Sequence, residues 1–153
     1  MKLTACLSCL LLTLLHISSC DTKYGYYQVY DLPTSGWSSD DSLVFTLKHK
    51  DDSKLFSWQD LNATIRVVDG EYKYENIILL FSTERGEKDT VYIPLQNEKH
   101  MWRGDCHSGI CEITTSLDNV NISLEGVDQL VVKQWSEGPP LQGIVSLGLF
   151  TLK

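Results

Sequence analysis

Ala63-Thr64-Ile65-Arg66-Val67-Val68 puts Ala63, Ile65 and Val67 on one side of an extended chain and Thr64, Arg66 and Val68 on the other. A period of two is the mark of a β-strand, whose successive side chains point to opposite faces. The pattern recurs on both sides of this stretch. Leu43, Phe45 and Leu47 oppose Val44, Thr46 and Lys48, and Val120, Ile122 and Leu124 oppose Asn121 and Ser123. Further strands are predicted over 26–32, 77–82, 90–94, 130–135 and 144–152. The run Asn76-Ile77-Ile78-Leu79-Leu80-Phe81 does not alternate, which predicts a central strand covered on both faces. Turn signals separate the runs at Asp69-Gly70, Arg85-Gly86, Glu125-Gly126 and Gly138-Pro139-Pro140. No 11-residue window carries a helical period. Eight or nine strands so spaced predict an all-β, single-domain antiparallel β-sandwich, jelly-roll-like, over residues 21–153.

The first twenty residues read as an address. Lys2 precedes an apolar stretch from Leu3 to Leu15, and the small residues Ser18 and Ser19 follow. That order is a secretory signal peptide over 1–20, too short for a span that needs about 20 apolar residues. Cleavage after Cys20 removes Cys6, Cys9 and Cys20 and leaves an even pair. Ile17-Ser18-Ser19-Cys20 also resembles a bacterial lipoprotein box, in which that cysteine carries lipid. Gly143 to Leu152 is apolar but reads as a last strand, so no transmembrane span is expected.

In 153 residues the hydrophobic share is 42% and the charged share 22%, an ordinary globular balance that disfavours disorder. The net charge is −7, which becomes −8 without Lys2, against a nucleic-acid phosphate binder. The expected location is secreted and extracellular. Asn62-Ala63-Thr64 and Asn121-Ile122-Ser123 are acceptor sequons suited to a eukaryotic secreted glycoprotein, with Asn121 on the solvent side of its strand.

Cys106 and Cys111 enclose His107-Ser108-Gly109-Ile110, with Gly104 and Gly109 nearby to allow tight turning. In an oxidising compartment this predicts a local disulfide that fixes one hairpin or loop. The spacing suits neither a zinc site nor a nucleophile–base pair, because neighbours on a strand face apart. Asp40-Asp41 and Asp51-Asp52 flank one strand, some 20 Å apart at about 3.3 Å per residue, and read as solvated turns. No metal and no cofactor is expected, since no phosphate-cradling Gly-rich loop and no Gly-x-Ser-x-Gly elbow occurs. Among the aromatics, Tyr26 and Tyr30 share a face and Tyr27 faces away. Trp58 and Trp135 are assigned to the core, and Trp37 and Trp102 to recognition.

Two stretches resemble the β domain named after farnesoic acid O-methyltransferase. One is the Tyr26–Leu32 strand followed by Ser42–Lys48 and Asp52–Ser57; the other is Trp135, Pro139-Pro140 and Ile144–Thr151. The family's Gly-Gly turn has only Val68-Asp69-Gly70 in its place. The resemblance implies a β-sandwich appended to extracellular proteins, and it carries over no catalytic residue.

The functional expectation is binding rather than catalysis. The ligand is an extracellular carbohydrate or protein met by loops at one end of the sandwich, through Trp37, Trp102, Arg103 and His107. The alternatives are a small secreted enzyme or hormone-modifying protein, and a structural, matrix or venom component.

Overall fold

Alternation along the chain becomes nine strands among the residues that the computed structural model describes, 24–47 and 57–152. The signal peptide with Cys6, Cys9 and Cys20, the Asp51-Asp52 pair and the Asp52–Phe56 part of the resemblance lie outside them. The strands are β1 (Tyr24–Asp31), β2 (Ser42–Thr46), β3 (Asn62–Val68), β4 (Asn76–Thr83), β5 (Lys88–Pro94), β6 (Asp105–His107), β7 (Ile110–Ser116), β8 (Gln129–Gln134) and β9 (Ile144–Leu152). A five-stranded sheet runs β1-β9-β3-β7-β6 and a four-stranded sheet β2-β8-β4-β5. Every pairing is antiparallel. The fold is the all-β sandwich that the periodicity predicts.

The inward residues of the two sheets make one core. Ala63, Ile65 and Val67 of β3 meet Leu43 and Phe45 of β2, Ile77, Leu79 and Phe81 of β4, and Leu130 and Val132 of β8. Removing each large side chain from water stabilises by about 1.5–3 kcal/mol. Trp58 seals one end, its ring edge-on to Phe81 at 5.4 Å and its Nε1 donating to the Ile122 carbonyl. β4 is interior to its sheet, as predicted, yet its outer residues Asn76, Ile78, Leu80 and Ser82 are only half-buried. β9 is the strand covered on both faces. Its outer face is roofed at Gly148, where an added Cβ would lie 2.7 Å from Val29 Cγ2 and 2.8 Å from Thr64 Cγ2.

The outer edge of β2 is satisfied by side chains of β1 instead of a further strand. Thr46 N–H donates to Gln28 Oε1 at 3.0 Å, and Tyr30 Oη donates to the Val44 carbonyl. Such occupation of an edge blunts strand-to-strand aggregation.

Two stretches depart from the sequence reading. Val120, Ile122 and Leu124 turn inward and Asn121 and Ser123 outward, but they sit in a loop without a ladder. Residues 110–116, where the periodicity predicts no strand and only Ile110 and Cys111 belong to the expected disulfide loop, form β7, paired along its length with β3.

The sandwich has two distinct ends. Tyr24, Leu152, Asn62 and Ser116 lie at the end where β1 begins. Asp31, Val68 and the β6–β7 hairpin lie at the other, about 23 Å away along β1 at roughly 3.3 Å per residue. The first is called the proximal end and the second the distal end.

Candidate functional site

The distal end gathers three of the four residues expected to bind. Trp102, Arg103 and His107 line one open hollow of about 600 Å³, together with Asp105, Glu112 and Thr114. The hairpin brings them together. Cys106 and Cys111 are directly opposed in the β6–β7 pairing and joined by a disulfide, with Ser108 and Gly109 turning the chain at positive φ. Cys111 is fully buried against the core while His107 and Arg103 are exposed.

Each side chain is held by a named partner. The half-buried Trp102 donates from Nε1 to Asp69 Oδ1 at 2.8 Å, which fixes its ring. Arg103 donates from Nε to the Gln96 carbonyl at 3.1 Å. Glu112 accepts from Arg66 Nε, and that hydrogen bond, then the charge of Glu112, raises the Arg66 pKa above its ordinary value. Behind Trp102 stands Tyr72, 6.5 Å between ring centroids, and then Tyr74 at 5.6 Å. Burial, then the neighbouring Tyr74, pushes the Tyr72 phenol upward, so it stays neutral and donates to the Asn76 carbonyl at 2.7 Å.

Trp37 does not join this group. It is fully buried, against the expectation of an exposed ligand contact. Its backbone pairs with Leu141, its Nε1 donates to the Asp41 carbonyl, and its own carbonyl accepts from Gln134 Nε2. A loop folded over the distal end of the core has made it a plug.

Trp135 errs the other way. Assigned to the core, it is 56% exposed. In β8 the inward set is Leu130, Val132 and Gln134, so Trp135 follows Val131 and Lys133 outward. One parity offers Leu130, Val132 and Gln134 and the other Val131, Lys133 and Trp135, so a buried glutamine hides which one faces the core. Tyr74 and Tyr92, also more than half exposed, were not singled out. Solvent-facing aromatics among buried neighbours, as at Val91-Tyr92-Ile93, were the available signal.

The remaining polar candidates are placed as follows. Asp41 accepts from Ser38 N–H in an exposed turn. Among the described residues no group of three or more His, Cys, Asp or Glu side chains is arranged to hold a metal. Asn62 begins β3 and donates to the Asp60 carbonyl, with Thr64 of its sequon buried. Asn121 is exposed, its N–H donating to Asp89 of β5. Among the described residues no helix is long and apolar enough to cross a membrane.

The curated proteins include no significant match to this chain. A solved chain from Bacillus endospore appendages, described as disulfide-linked pili, is 11% identical over 88% of this chain and 97% of that one, at a TM-score of 0.30. A likeness that loose carries no argument. The sequence profile of the GldH lipoprotein family, by contrast, matches residues 24–150, nearly all of the sandwich. That match overturns the resemblance to the farnesoic acid O-methyltransferase domain. The stretches that suggested it are ordinary strands, β1, β2 and β9, whose alternating aliphatic and aromatic residues any sandwich requires. The chain belongs to the GldH lipoprotein family and is a lipoprotein of the bacterial envelope.

Proposed function

We propose that this protein is anchored by lipid at Cys20 and works by binding rather than catalysis, presenting its distal end to an envelope glycan or protein. Ile17-Ser18-Ser19-Cys20 supplies the lipoprotein-box pattern, and family membership favours it over release as a free secreted protein. Nothing in that family supports glycan attachment at Asn62 or Asn121. A lipidated Cys20 stands four residues ahead of Tyr24, where the described chain begins, so the proximal end lies against the bilayer and the distal loops project away. Recognition residues on loops held by a rigid sheet are the usual arrangement of a binding scaffold.

The observation that carries this reading is the convergence of Trp102, Arg103 and His107 on one hollow at the end opposite Tyr24. Aromatic and arginine side chains are the types that dominate binding energy at interfaces. A photo-crosslinking residue at His107, compared with one at Ser116, tests it in whole cells. A discrete adduct from position 107 that disappears with Trp102→Ala is expected. No adduct from 107, or the same adduct from both positions, would overturn the assignment of this end.

A further inference from the structure

The outer face of the four-stranded sheet carries a second constellation at the distal end. Ile78 pairs with Tyr92 on β5, and Trp135 N–H donates to the Ile78 carbonyl from the other side at 2.8 Å. Tyr92, Ile78 and Trp135 therefore form one row across three strands, with about 10 Å between the outer two at roughly 4.8 Å per strand. Tyr92 is 57% exposed and Trp135 56%, and Tyr74 beside them is 54% exposed. Three large aromatics left so open on one face mark an interaction site.

We propose that this face is a platform for a neutral saccharide chain, with Trp135 as its stacking base. It shares with the preceding reading only the choice of the distal end.

Hollows open on either side of Trp135. One of about 210 Å³ has Ile78 as floor and Tyr74 as wall; the other, of about 310 Å³, lies over Leu80 and Lys133. Both are lined by Ser136, whose buried Oγ has no hydrogen-bond partner among the described residues. Buried polar atoms are almost always satisfied, so this orphan beside an exposed indole points to a ligand rich in hydroxyls. Sugar hydroxyls both donate and accept, which suits a serine hydroxyl.

Charge selects among saccharides. Glu137 lines both hollows, no lysine or arginine lines the first, the one lysine at the second, Lys133, donates to the Asp40 carbonyl, and the whole chain carries −7. An anionic polymer is repelled there, whereas a carboxylate accepts well from a neutral sugar hydroxyl. An extended peptide would instead seek an open strand edge, and this is a face.

Calorimetric titration of the full-length protein, in a detergent without a sugar headgroup, tests the proposal. The probes are cellotetraose, chitotetraose and an anionic tetragalacturonate. Saturable binding of a neutral tetrasaccharide is expected. Trp135→Ala should weaken it about tenfold or more, as truncating an aromatic anchor does. Ser136→Ala should weaken it too, and Trp102→Ala should leave it unchanged. Absence of saturable binding by both neutral probes, equal binding by Trp135→Ala, or preference for the galacturonate would overturn it. So would a protein adduct from a photo-crosslinker at Tyr74 that neutral tetrasaccharide does not compete. The adduct expected from position 107 is scored separately, so either reading can fail while the other stands.

Discussion

Gly104 shows how one missing atom shapes the hollow around Trp102. A Cβ there would stand 1.8 Å from the Glu112 carbonyl oxygen and 2.6 Å from its carbon. Those are backbone atoms of β7, which cannot swing aside as a side-chain tip can. Gly104→Ala therefore forces the segment leading into β6 away from β7. Overpacking of this kind costs about 1–3 kcal/mol, and chemical denaturation should register it; a change below about 0.5 kcal/mol would be that of an ordinary surface site and would refute this packing. In the sequence Gly104 and Gly109 look alike as turn formers. Only Gly109 has the positive φ of a turn, and Gly104 is required for close approach, a distinction invisible without the partner strand. The two misassigned tryptophans yield a paired prediction. Trp37→Ala empties a buried site and should cost about 3–5 kcal/mol, whereas Trp135→Ala should change stability by no more than about 0.5 kcal/mol. Parallel urea titrations check both, and equal losses would contradict the burial.

At the scale of elements, the disulfide belongs to the β6–β7 hairpin and not to the junction between sheets. Cys106 and Cys111 face each other across adjacent strands, so the closed loop is short. Chain entropy assigns such a closure about 2 kcal/mol. Replacing both cysteines with alanine should lower stability by about that amount, plus a smaller loss from the buried Cys111 sulfur. Amide exchange should accelerate in β6 and the start of β7 while β4 and β9 keep their protection. Loss of protection throughout both sheets would mean that the bridge holds the sandwich itself. β7 is not legible in the sequence because only Cys111 and Ile113 turn inward in it, and the cysteine reads as a loop closure. The loop at Val120–Leu124 was misread for the converse reason, since residues can alternate in burial without pairing. β9, by contrast, was bounded correctly at both ends, because a continuous apolar run followed the Gly138-Pro139-Pro140 turn. Periodicity thus reports burial, and burial coincides with strand only where a neighbour supplies the ladder.

At the scale of the molecule, the tether and the aromatic surfaces lie at opposite ends of one rigid sandwich, and this gives the protein an orientation. From Cys20 to Tyr24 the chain can reach at most about 14 Å even when fully extended, at no more than 3.6 Å per residue. Strand β1 then carries it about 23 Å to the distal end. With lipid on Cys20 the Ser116 and Gly86 turns stay close to the headgroups, and the β6–β7 hairpin and Gly138 turn stand clear of them. The net charge of −8 left once Lys2 is removed adds to this, because it resists the protein lying flat on an anionic surface. The full chain in bilayers containing gadolinium-chelating headgroups should therefore show a graded loss of amide signal. Broadening should be strongest around residues 84–88 and 116–119 and weakest around 108–109 and 137–138. Cys20→Ala should abolish the gradient together with membrane association. A reversed gradient, or membrane association that survives Cys20→Ala, would mean that some other surface holds the protein to the membrane. The aromatic rows would then be the first place to look, since open Tyr and Trp side chains also settle at lipid interfaces. The same measurement therefore decides whether Tyr74, Tyr92 and Trp135 are free to meet a ligand.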